Sequence, residues 1–103
     1  REGIYCAYNI QSAGRKVQLI LLDLRWFRSP LKIREDGVYL PNPSPTATLL
    51  GDAQWAWLRG ELQRPADLRI IGSSIQFCSS EHRWEKWANF PLEKARMVGL
   101  LRE

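Results

Sequence analysis

The stretch Val17–Asp23, VQLILLD, decides how the rest of this chain is read. Apart from Gln18 it is apolar on both faces, whereas a strand with one wet face alternates apolar and polar residues. It therefore predicts a central strand covered above and below, ending on Asp23. Upstream, Gly3–Ile10 carries Ile4, Tyr5, Tyr8 and Ile10 and reads as a second strand. Gln11–Lys16, QSAGRK, supplies turn residues between the two, so a hairpin is expected. Downstream, Leu68–Ile71 repeats the doubly apolar pattern and passes into the small residues Gly72, Ser73 and Ser74.

Between these runs, Leu24–Leu50 has little periodicity, and Pro30, Pro41, Pro43 and Pro45 with Gly37 forbid a long helix or a central strand. Its Trp26, Phe27, Tyr39 and Leu40 argue for a long ordered loop wrapped on the surface, and loops of that length are commonly functional. Asp52 opens a helix to about Gln63, with Trp55, Leu58 and Leu62 on one face and Pro65 beyond its end. At about 100° per residue, Trp57 faces away from Trp55. Asn89 as N-cap and Pro91 just inside it predict a last helix through Leu101. The order is α/β: three to four strands, two helices and a long ordered loop.

The 103 residues make one small domain or part of a larger one. Hydrophobic residues at 45% and charged residues at 25% exclude a disordered or collagen-like chain. The net charge of +4 is spread along the chain without a basic block, so nucleic acid is not expected as a partner. No apolar run approaches the roughly 18 residues of a membrane span, and no secretory leader pattern is visible. The first residue is Arg1 rather than Met, which leaves the compartment open. Cys6 and Cys78 stand alone, without CxxC spacing or a neighbouring His, and are expected as free buried thiols rather than a disulfide or zinc ligands.

Four segments, VQLILLDLRWFRSPL, LLGDAQWAWLRGEL, DLRIIGSSIQF and EHRWEKWANFP, resemble in order and spacing the alkaline phosphatase D-like (PhoD-like) branch of the calcineurin-like metallophosphoesterases. The resemblance runs from about Gly3 to Arg96. It implies a partial calcineurin-like two-sheet sandwich, a phosphoester substrate and a parent enzyme that hydrolyses phosphate mono- or diesters. It also implies a di- or trinuclear centre of calcium, iron, manganese or zinc, and a periplasmic or extracellular setting. The family's ligand segments, an early strand-end Asp, an Asp-His-Asp loop and a Gly-Asp-x-His segment, have no counterpart here. Residues 1–103 are therefore expected to be a single partial domain without the N- and C-terminal metal-ligand segments, binding no metal alone. Departures within the matched part are Leu24 for Thr, Arg83 for Gly, Leu92 for His, and Asn9-Ile10 for Thr-Phe.

Several residues are candidates for substrate contact or for support behind a site. Asp23 and Arg25 could leave the strand end on the same side, where open α/β sheets place ligands. Arg25 or Arg28 would then grip phosphate with a planar fork. The competing reading is an Asp23–Arg25 pair that ties the loop to the sheet. Ser73, Ser74 and Gln76 follow the second buried strand and are either a hydrogen-bonding wall or a plain turn. His82, near Glu81 and Glu85, is either a ligand or general acid or a solvated loop residue. Trp84, Trp87 and Phe90 are expected to pin SSEHRWEKWANFP down as a cover, with Glu85 and Lys86 outward. A reading from a different class is a non-catalytic interaction module presenting a Trp/Arg surface from Trp26, Trp57 and Trp84. Two doubly apolar strands with two helices to cover them also imply self-association or a complementary fragment.

Overall fold

The computed structural model describes residues 2–78 and 85–102. Strands β1 (Cys6–Ser12) and β2 (Arg15–Leu21) form the expected hairpin, shifted toward the turn, with Ser12 opposite Arg15. The two residues between them, Ala13 (φ 50°) and Gly14 (φ 76°), are both left-handed, as the favoured two-residue hairpin turns require. Two short strands, β3 (Lys32–Ile33) and β4 (Tyr39–Leu40), pair inside the long excursion, where the Pro-rich pattern predicts none. Helix α1 (Asp52–Leu62), strand β5 (Leu68–Gly72) and helix α2 (Pro91–Leu101) complete the fold, with one 3-10 turn at Trp87–Asn89 before α2.

The main sheet has the order β1-β2-β5, with β2 antiparallel to β1 and parallel to β5. Val17–Asp23 does supply the central strand. Its two faces are treated differently. Ile20 is sealed in a core with Leu24, Leu49, Leu50, Trp55, Leu58, Ile75, Trp87, Phe90 and Met97, and Ala7 and Ile71 pack against that cluster from the neighbouring strands. The opposite face presents Tyr8, Ile10, Leu68 and Ile70, each about half exposed. Register brings these together, since Tyr8 faces Leu19, Ile10 faces Val17, and Leu68 and Ile70 face the same two residues from the other side. Both helices serve one face, and the other, apolar as the run predicts, is left without cover among the described residues. The radius of gyration, 15.0 Å, exceeds the roughly 13 Å of a compact chain of this length.

Gln18, the polar exception in the apolar run, points into the covered face. Its side-chain amide donates to the carbonyl and the carboxylate of Glu61 at the end of α1, and its Oε1 accepts from Arg69 of β5. A buried amide satisfied in this way fixes which face of β2 turns toward α1.

Asn89 is not the cap of α2. It lies in the 3-10 turn and its Oδ1 accepts the Lys86 N–H at 2.8 Å, while Phe90 takes the N-cap position ahead of Pro91. Glu85 and Lys86 are also not outward. Lys86 is buried, and the Glu85 side chain is mostly so. The reason is local geometry: Lys86 is extended (φ −161°, ψ 163°) and bridges to Gln76, so the helical spacing that would turn it outward does not apply. Cys6 and Cys78 are free, as expected, but not buried: Cys6 is half-buried and Cys78 exposed.

Candidate functional site

Asp23 stands just past β2, and its side chain organises the corner there. Oδ1 accepts the N–H groups of Arg25 (2.9 Å) and Trp26 (3.0 Å), and Oδ2 accepts that of Ile4 (3.0 Å). Burial works against the charge, but the donors from Trp26, Arg25 and Ile4 outweigh it and hold the carboxyl below the ordinary aspartate range. The backbone of Asp23 is tied from the other side by Gln54 of α1. Gln54 Oε1 accepts the Asp23 N–H, and Nε2 donates to the carbonyls of Asp23 and Leu50, all at 2.8–2.9 Å. No sequence signal marks Gln54, which differs from its exposed neighbours on α1 only in where the helix packs.

The turn set by Asp23 buries Leu24, projects Arg25 and Trp26 into solvent and returns Phe27 to the body. Phe27 wedges between Gly3 and Gly51, both at positive φ. A Cβ at either would stand 2.8 Å from the ring or its Cβ, so both positions need glycine. Arg28 then points to Glu85, with Nη1 to Oε2 at 2.5 Å, and Arg25 approaches the same oxygen at 3.8 Å. Arg28 Nε and Glu85 Oε1 are buried with no hydrogen-bond partner among the described residues.

The expected Asp23–Arg25 ion pair is therefore replaced by two separate arrangements. Asp23 takes the Arg25 backbone, and the Arg25 side chain turns to Glu85. Asp23, Arg25 and Arg28 do share one corner. Gln76 joins through its backbone, its carbonyl accepting the Trp87 N–H at 3.0 Å beside the Lys86 bridge. The Ser73 hydroxyl accepts from Trp87 Nε1 at 3.0 Å and donates to the Ile75 carbonyl, which gives it a structural role. His82, Trp84 and Glu81 lie outside the described residues.

A second carboxylate that sequence reasoning missed supports the corner from below. Glu93, in the first turn of α2, accepts from Thr48 Oγ1 (2.6 Å), from the Leu49 N–H (2.7 Å) and from Trp55 Nε1 (2.9 Å to each oxygen). It joins the end of the long loop, α1 and α2 at one buried point. Arg96, one turn later on α2, lies over the Trp55 ring at 4.4 Å.

A metal centre does not fit these donors. Both Asp23 oxygens and both Glu93 oxygens are spent on N–H or O–H groups of the fold, and the two carboxylates hold different elements. Among the described residues no three His, Cys, Asp or Glu side chains come together. No described helix is long and apolar enough to cross a membrane.

What remains is a strand-end corner of an α/β sheet with two arginines on one carboxylate, a place where such folds receive anionic ligands. The chain matches the family model for PhoD-like phosphatase over residues 3–102, and it belongs to that family. Neither the curated proteins nor the solved structures include a significant match.

Proposed function

We propose that this chain is part of the catalytic domain of a metal-dependent phosphatase or phosphodiesterase, supplying scaffold and phosphate contacts rather than the metal centre. The family match along almost the whole chain carries the reaction class. The absence of three converging His, Cys, Asp or Glu side chains among the described residues supports the division of labour, because metal-assisted hydrolysis needs several ligands converging on an ion that activates water. In the parent, calcium, iron, manganese or zinc would be held by other segments. Arg25 and Arg28 would take the phosphate oxygens in place of Glu85, since a guanidinium fork pairs with either a carboxylate or a phosphate through two parallel hydrogen bonds. The open face of the β1-β2-β5 sheet is where the second sheet of a calcineurin-like sandwich would pack.

A broad Trp/Arg interaction surface is less well supported. Trp57 packs on Tyr5 with ring centroids 4.7 Å apart, which leaves Trp26 as the exposed tryptophan among the described residues. The test is an assay of the purified chain with a chromogenic phosphodiester and added calcium, iron, manganese or zinc. No turnover is expected. Metal-dependent turnover that survives further purification would overturn this reading.

A further inference from the structure

The corner at the end of β2 holds more than two arginines. Trp26 is 65% exposed and Ile4 is 83% exposed, and both donate their N–H groups to the one Asp23 carboxylate. An exposed apolar residue alone needs no explanation. Here the backbone beneath the ring is held in place. Asp23 and Leu24 before it are buried, Phe27 after it is wedged between Gly3 and Gly51, and Arg28 is fixed on Glu85. A flat indole on a pinned turn, next in sequence to an Arg25 side chain that is 67% exposed, is a preorganised platform beside a cation.

We propose that Trp26 is a stacking subsite that selects phosphoesters whose alcohol carries a flat aromatic ring, an aryl or nucleoside ester, with Arg25 and Arg28 on the phosphate. This deepens the phosphate reading of the corner and rests on it. A ring on the Trp26 face loses water on both sides and gains stacking without needing any hydrogen-bond code, so the selection is for flatness and not for one base. Arg25, the preceding residue, is also exposed, so a guanidinium is available to a phosphate joined to the ring. Glu85 is then the group the phosphate displaces, and Arg28, held between the loop and Glu85, is the more buried of the two cations.

The test is equilibrium binding of inorganic phosphate, phenyl phosphate and cyclohexyl phosphate to the intact chain, compared with its Trp26→Ala and Arg25→Ala variants. Phenyl phosphate should bind on the order of tenfold more tightly than inorganic phosphate. Cyclohexyl phosphate should fall well short of it. Trp26→Ala should remove the aryl preference while leaving inorganic phosphate binding within about twofold, and Arg25→Ala should weaken all three. Because Trp26 is mostly exposed, the variant should keep the thermal melt of the parent chain, which verifies folding. Binding of phosphate with no aryl preference, or a preference that survives Trp26→Ala, overturns the stacking subsite and leaves the phosphate corner standing. Absence of binding by all three ligands overturns both.

Discussion

The two faces of the main sheet are made from the same strands and similar side chains, yet one is sealed and the other is open. On the sealed face Ile20 is fully buried, and even the polar members, Gln18 and the strand-end Asp23, have every described oxygen matched to a donor. On the open face Tyr8, Ile10, Leu68 and Ile70 keep about half their surface in water. The difference is one of available cover. Two eleven-residue helices and the long loop suffice for one side, and polar groups accompany the cover because helix ends and loops bring unpaired backbone donors that must be met. The sealed face is therefore held by hydrogen-bonded carboxylates as well as by apolar contact, and the open face by neither.

The largest expected effect tests those carboxylates. Glu93→Ala leaves the Thr48 hydroxyl, the Leu49 N–H and the Trp55 indole N–H without their acceptor in a buried place. Loss of one partner from such a cluster should cost about 3–5 kcal/mol, enough to unfold a small domain. Urea denaturation followed by circular dichroism would measure it. A loss below about 1 kcal/mol would mean that water meets these donors and that the sealed face is less dry than its geometry implies. Ile20→Ala should follow, at about 2–5 kcal/mol, while Ile70→Ala on the open face should cost about 1 kcal/mol or less. Equal costs for the two would erase the contrast between faces.

Much of this frame was legible before any coordinates. The unbroken apolar run to Leu22 identifies the central strand, and Gly14, Pro91 and the small residues after Ile71 punctuate it correctly, because these signals are local. The partners of the buried polar groups were not legible. Nothing near Gln54 or Glu93 in sequence shows that one meets Asp23, 31 residues away, and the other Trp55, 38 residues away. Gln18 stands out as the lone amide in an apolar strand, but nothing near it in sequence points to Glu61 or Arg69. The i, i+3 spacing of Trp84 and Trp87 predicts Glu85 and Lys86 outward, as on a helix, whereas the backbone at Lys86 is extended. Position along the chain places Asp23 and Arg25 at the strand end, whereas the hydrogen bonds that join this corner to Ile4, Gln54 and Glu85 depend on the fold.

An intermediate effect concerns acid. The folded Asp23 carboxyl ionises below its ordinary range, against burial and because Trp26, Arg25 and Ile4 donate to the charged form. Its contribution is complete above the unfolded value of about 3.9 and is lost as pH falls through the lower folded value. Asp23→Asn should therefore lower stability at pH 7 by about 1–3 kcal/mol, since a charged acceptor is lost and an amide N–H₂ is turned toward a backbone donor. The gap between the variant and the parent chain should narrow as pH drops below that range. Urea midpoints measured at pH 7 and near pH 3 give the comparison. A gap that stays constant would mean that the charge contributes nothing and that the corner is held by Gln54 and Phe27.

The smallest effect on stability is expected where the effect on association is largest. Tyr8, Ile10, Leu68 and Ile70 are each about half exposed, so about half of the usual 1.5–3 kcal/mol per large apolar side chain is forgone at each, or about 3–6 kcal/mol together. That sum is available to anything that covers the face. The intact chain should bind a hydrophobic dye and scatter light above its monomer mass. Threonine at all four positions keeps strand preference and removes most of the apolar area, so dye binding should collapse and the mass should fall to the monomer, with each substitution lowering stability by about 1 kcal/mol or less. The contrast between the faces fails in two ways. If the four-fold variant unfolds, the open face contributes to folding through contacts as strong as those of Ile20. If the unaltered chain is already a dye-free, sharply melting monomer, the open face is tolerated as ordinary surface, and the case for a second sheet packing there loses its energetic basis.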